Sequence, residues 1–428
     1  MSQIKMQAGF RNYIPPRDTQ RSKDLAACNT YQWADIRCAD PFMVGWKAGW
    51  EKLSNEPYKG ITTDGNVIPE LYQLAGERVT DGGGGEAAPT AAMTKAAKRL
   101  FNATSPEATQ ALWNPSVDAP EWRRWINPEI YVYRHGIRLE ETSEDVVEAI
   151  HDLMRASLSP EGYAKARGCM KVNQFLGEVV DGRKVLNERS YNFSIFGMPS
   201  EDEPWGWQIF GHHFAMNCFV AKTQIVISPV FMGAEPNVID SGPEKGTELF
   251  TDQERLAVKL MQSMDKATVE HVRIFQQLSG PEYPEGRFHQ ADQRHLGGAF
   301  QDNRVVSYEG AKVSIFSQDQ QSLVRQLLIL CLNYLPANAL EQRMGEILTH
   351  WGDTYFAWIG GFGKYDAFYF KIHSPVVMAE FDHHTGVFLD NKIPLPFHIH
   401  TLVRTPNGND YGKALLKQFL AAKGSDRN

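Results

Sequence analysis

Two stretches separated by more than a hundred residues constrain this chain most. Residues 191–233 and 365–404 carry alternation, aromatic side chains and β-branched residues, around Trp205-Gly206-Trp207, Gln224-Ile225-Val226-Ile227 and Phe368-Tyr369-Phe370. The sequence between and before them reads as helix. Ser143-Glu144-Asp145 starts one helix, continued by Val146, Val147, Ile150, Leu153 and Met154, and Ser159-Pro160-Glu161 starts another. Thr251-Asp252-Gln253-Glu254 reads as a capping box, residues 317–358 are mainly helical with a break at Pro336, and Tyr411–Ala422 is a short closing helix. The expected class is α+β, with the two strand-rich stretches meeting in one sheet or barrel and helical blocks flanking it.

Composition narrows the function classes. The 428 residues are 42% hydrophobic and 22% charged, an ordinary globular balance. The formal charge of -7 gives no support to nucleic acid or an anionic membrane as partner. No apolar run reaches the roughly 18 residues of a bilayer crossing. Met1–Met6 has no apolar core of a secretory signal, and the five cysteines lack a CxxC pair, so a reducing, cytoplasmic setting is expected. The four glycines in residues 80–92 lack a following Lys-Ser/Thr and read as a surface loop rather than a phosphate cradle.

Histidines carry the chemical signal. Of the 13, five (His373, His383, His384, His398 and His400) fall in the second strand-rich stretch, and His212 and His213 are adjacent in the first. Imidazole is the commonest transition-metal ligand, and a strand puts residues i and i+2 on one face, about 7 Å apart. In Phe397-His398-Ile399-His400-Thr401, alternation sets both histidines opposite an apolar face. In Phe368-Tyr369-Phe370-Lys371-Ile372-His373, the same rule groups Tyr369, Lys371 and His373. Parity around Gly211 puts His213 with Ala215 and Asn217 and His212 with Phe214 and Met216; His213 is the preferred ligand and His212 its rival, because a bulge at Gly211 would swap the faces. Asp382 reads as a partner orienting a ligand histidine or as a turn residue, and Arg404 as a substrate anchor or the partner of Asp410. His135 is isolated, while His289 and His295 flank a polar loop and read as surface.

Taken together, Trp205-Gly206-Trp207-x-x-x-Gly211-His212-His213, Phe-His-Ile-His-Thr and Arg404-Thr405-Pro406-Asn407-Gly408-Asn409-Asp410-Tyr411-Gly412 resemble the domain-of-unknown-function 3500 family, from about Trp125 to Phe419. The chain also resembles fungal enzymes that open anthraquinone rings, non-haem iron dioxygenases with four histidines and an N-carboxylated lysine on the metal. That resemblance implies iron(II) held by His212 or His213, His373, His398 and His400, with Lys371 as a carbamate formed from carbon dioxide. It implies a small aromatic polyketide and dioxygen as substrates, with a pocket lined by Tyr369, Trp207 and Phe397, and His384 or Tyr369 as base toward a phenol. The expected organisation is then an N-terminal segment, 1–92, and a strand-rich metal-binding catalytic domain with helical insertions, 93–428. A zinc hydrolase, with Asp382 as an added ligand, and a structural metal site in a non-catalytic protein are the alternatives.

Overall fold

The computed structural model describes residues 9–75 and 88–425; the glycine run of residues 82–85 lies outside them. Twelve strands form one mixed sheet: β1 (Trp113–Asn114), β2 (Ile137–Arg138), β3 (Tyr191–Phe196), β4 (Trp205–Gly211), β5 (Phe214–Ala221), β6 (Gln224–Ala234), β7 (Arg273–Phe275), β8 (Ala311–Lys312), β9 (Tyr355–Gly360), β10 (Phe368–His373), β11 (Met378–His383) and β12 (Ile399–Arg404). Their order is β1-β3-β4-β5-β6-β12-β11-β10-β9-β7, with β2 on β3 and β8 on β9. The class is α+β, and the sheet is open rather than closed into a barrel.

The two strand-rich stretches join at one seam. There β12 runs antiparallel to β6, with His400 opposite Gly233 and Leu402 opposite Phe231. On its other side β12 pairs with β11, placing His400 opposite Asp382 and Leu402 opposite Glu380. The central strands β5, β10, β11 and β12 are buried along their whole length, so both faces of the sheet are covered.

One face packs against helices. In Glu144–Ser157, the Ser143 side chain accepts from the Val146 amide, and Val146, Ile150, Leu153 and Met154 enter the same core as Phe193, Trp207, Met232 and Val403. The helix Pro160–Val179 is capped by Ser159 in the same way. The capping box expected at Thr251 is corrected: the helix begins at Thr251 itself, its cap is Phe250 at φ +65°, and no side chain caps it. The described part of the first 75 residues shares these cores, with Leu25, Trp33 and Tyr72 in the helix-side cluster.

The other face carries a smaller aromatic cluster of Trp122, Trp125, Phe210, Phe231, Phe300 and Leu402, joined by Met43 and Trp50 from the helix Pro41–Ser54. Irregular segments around residues 119–135 and 287–304, the first with a short 3-10 turn at Pro120–Arg123, cover this face. They are pinned by buried ions: Asp302 bonds Arg123 at 2.8 Å and Arg404 at 2.6 Å, and Arg404 also pairs with Asp410 at 3.1 Å. Arg404 is therefore a structural cation.

A candidate histidine metal centre

His212 and His213 are the two residues of the tight turn joining β4 to β5, since Gly211 pairs directly with Phe214. Strand parity does not apply inside a turn, so the sorting of these two rings by alternation is corrected. His213 takes φ +59°, the left-handed region. Three hydrogen bonds to its backbone hold the turn: the His213 amide donates to Asn127 O, its carbonyl accepts from the Gly233 amide, and the Tyr191 hydroxyl donates to His212 O. This geometry swings the His213 ring over the β6–β12 seam.

There it meets the His-x-His pair. His213 Nε2 lies 3.2 Å from His398 Nε2, which lies 3.1 Å from His400 Nε2. His398 Nδ1 is 2.7 Å from the Thr385 carbonyl. A carbonyl can only accept, so the His398 proton sits on Nδ1 and its Nε2 presents a bare lone pair. Two nitrogens on one ion at bond lengths of ~2.0–2.1 Å stand about 3.0–3.4 Å apart, as His398 Nε2 does from each of the other two, and one nitrogen from each of the three rings lies within 4.8 Å of the others. Burial drives the pKa of His213, His398 and His400 down, and for His213 and His400 the neighbouring imidazoles push the same way. Neutral rings are the ligating form. The donor set fits a divalent transition metal.

Gly233 makes the approach possible. A Cβ there would stand 2.9 Å from Ile399 O, 3.0 Å from His400 Cδ2 and 3.1 Å from His213 Cδ2. Glu235, just beyond β6, accepts the amides of Val387, Phe388 and Leu389, fixing the loop whose Thr385 carbonyl orients His398. This carboxylate, 3.8 Å from His398 Nδ1, has no sequence motif to announce it.

His384 also turns inward, its ring 3.8 Å from that of His400 between centroids, with Nε2 unpartnered. His295, expected at the surface, is corrected: it is only 3% exposed and lies 5.7 Å from the His384 ring. Four further histidines have contacts of their own. His212 donates from Nδ1 to Asn173 Oδ1 at 2.8 Å, and burial, against the pull of Glu129, takes its pKa to about 4. His383 accepts the Phe368 amide on the opposite face, with a pKa pushed down to about 3 by burial. His135 pairs with Gln208, and His289 packs against Phe42 and Trp46.

Lys371 and His373 lie outside the group, which corrects the ligand set that included them. Both share the sheet face of His400, but β10 is two strands from β12, and Lys371 sits two residues further along. At ~4.8 Å per strand and ~3.3 Å per residue, their backbones are about 12 Å from His400 for Lys371 and 16 Å for His373. Lys371 Nζ instead pairs with Glu309 at 2.7 Å. Burial lowers its pKa while Glu309 holds the ammonium form, and a carbamate anion there would face that carboxylate. The His373 ring packs on Tyr308 with both nitrogens unpartnered. Tyr369 as a base is also corrected: its hydroxyl donates to Glu380 at 2.7 Å, and burial, then Glu380, raise its pKa well above the ordinary value. Trp207 faces the helices, donating to Ser157, and Phe397 packs on Tyr13, so neither lines the histidine side.

A groove of about 490 Å³ opens on the histidine side, lined by Phe42, Trp46, Trp50, His289, Asp292 and Gln301. Its floor is one chain turn from His295, whose amide donates to Asp292 O. A tighter cavity of about 70 Å³ lies across the sheet, lined by Ile225, Leu332 and Arg343, away from the histidines.

A family model described as Protein of unknown function (DUF3500) matches residues 86–413. No curated protein and no solved structure matches the chain.

Proposed function

The chain belongs to the DUF3500 family, whose description assigns no activity, so its chemistry has to be read from its own side chains, and we propose a metal-dependent oxygenase centred on His213, His398 and His400. The carrying observation is the pair of Nε2 contacts, 3.2 and 3.1 Å, around a His398 ring whose bare nitrogen is fixed by Thr385. All three ligands are neutral, so an ion held there keeps its full charge and favours an anionic oxygen substituent such as a phenolate on the substrate. Bound iron(II) would supply the redox chemistry for cleaving a ring C–C bond with dioxygen.

The chain's own groups supply placement. Thr385 and Glu235 fix the His398 tautomer and ring, the β4–β5 turn fixes His213, and burial excludes water. His384, neutral by burial, stands beside the triad with its ring 3.8 Å from that of His400 between centroids. The Trp46–Phe42 groove suits a planar aromatic ring, and an anthraquinone-type polyphenol of polyketide origin is the proposed substrate class. Lys371 is left out of the ligand set. The zinc-hydrolase reading is weaker because Asp382, the carboxylate it would add, stands beside His384 and not within the group of His213, His398 and His400.

Metal analysis of the chain purified without added metal, with oxygen uptake on a hydroxylated anthraquinone, tests the proposal. At least one iron per chain and oxygen consumption lost in His398→Ala are expected. Stoichiometric zinc with no oxygen uptake would overturn it.

A further inference from the structure

Beside the triad, a second set of donors stands without partners. One ring nitrogen each from His295, His384 and His400 lies within 4.8 Å of the others. The three rings are layered: His295 to His384 is 5.7 Å and His295 to His400 is 6.0 Å between centroids, both at 28°. His295 is 3% exposed and His384 1%, yet both His295 nitrogens and His384 Nε2 lack any hydrogen bond. Unpaired polar atoms in a dry interior are costly, and several aimed at one place call for an occupant.

Carboxylates flank the same spot. Asp382 Oδ2 is 3.1 Å from His384 Nε2 without forming a hydrogen bond. Glu380 Oε2 is 3.7 Å from His295 Nδ1, an ion-pair distance too long for a hydrogen bond. Glu380 is itself fixed by the amides of Leu296 and Gly297 and the Tyr369 hydroxyl, and Asp382 by Arg294. Mixed imidazole and carboxylate donors suit a first-row divalent transition metal. Two occupants compete with that: an ordered water, or a proton making His295 an imidazolium beside Glu380.

We propose that His295, His384 and an oxygen of Asp382 hold a second divalent metal ion, with the His400 ring between it and the ion of the triad. This rests on the reading of the triad as a metal centre, and stoichiometry separates the two claims. Full-length protein stripped with a chelator is titrated with Co(II) by equilibrium dialysis, for the unmodified chain, His295→Gln and His384→Gln, with circular dichroism reporting the fold. Two equivalents falling to one in His295→Gln are the expected result. One equivalent in both proteins overturns the second site and leaves the triad; none in the unmodified chain overturns both. Two equivalents persisting in His295→Gln overturns the assignment to these residues. Where His295→Gln fails to fold, His384→Gln and the stoichiometry of the unmodified chain decide the same question.

Discussion

Two places on one face of the sheet carry nitrogen side chains two residues apart, His398 with His400 and Lys371 with His373, and they end in opposite states. At the β6–β12 seam, the Nε2 atoms of His213 and His400 lie 3.2 and 3.1 Å from that of His398. On β10, Lys371 and His373 obey the same alternation, yet one is tied to Glu309 and the other packs on Tyr308. Alternation decides which face a side chain takes. Strand order and register decide whether two side chains on that face can meet. His398 and His400 need only a neighbouring strand and one tight turn to find a third ring, whereas β11 and two further residues separate Lys371 from them.

The sharpest way to break this contrast is to truncate one residue from each place. His398→Ala should lose the ion of the triad, about one equivalent per chain, read by elemental analysis of the purified chain. Lys371→Ala should keep its metal and lose stability instead, about 1–3 kcal/mol for a buried pair whose Glu309 is partly exposed and keeps Arg287, measured by denaturant unfolding. Equal metal loss in both variants would erase the distinction.

Acid separates the regions next. His212 and His383, with folded pKa values near 4 and 3, bracket the histidine cluster, and His151, near 4, lies on the helix side. Each takes up a proton on unfolding once pH falls below about 6.5, so stability drops with falling pH between about 6.5 and 4. These three groups alone contribute a slope approaching about 4 kcal/mol per pH unit, to which His213, His384, His398 and His400, also held neutral by burial, add in the same direction; urea unfolding of the metal-free protein at a series of pH values would read it. A flat profile across that window would mean these rings are charged in the folded chain.

A smaller and more local effect is expected from Gly233→Ala. The added methyl meets His213 and His400 within 3.1 Å, so metal affinity should fall about 10–100-fold, as for losses of groups that orient ligands. Isothermal titration with Co(II) measures this. The smallest change is Tyr369→Phe, which removes the hydroxyl from Glu380 on the Lys371 side of the face: about 1 kcal/mol of stability and unchanged metal content. Loss of metal in Tyr369→Phe would tie the two places together after all.

Much of this arrangement is readable from sequence because it is periodic. The α+β class, the helix starts at Ser143 and Ser159 and the shared face of His398 and His400 follow from repeats of about 3.6 and 2 residues. What escapes is non-periodic or remote. His212 and His213 occupy a turn, where alternation has no meaning. His295 sits in an irregular loop whose polar neighbours suggest solvent, and its burial comes from residues distant in sequence such as Phe231, Tyr369 and His384. Glu235 acts through a loop that begins 152 residues away. The place of Lys371 depends on strand order, which alternation leaves undetermined.

The β6–β12 pairing has a consequence for how the protein matures. Thr401 bonds Met232 across 169 residues of chain, so the three ring nitrogens come together only after the C-terminal strand has been synthesised and docked. Until then β6 and β11 each present a long unprotected edge to other chains. An ion captured at that seam would clasp the last strand in place, so scarcity of metal during synthesis would show first as aggregation of the newly made protein and only second as lost turnover.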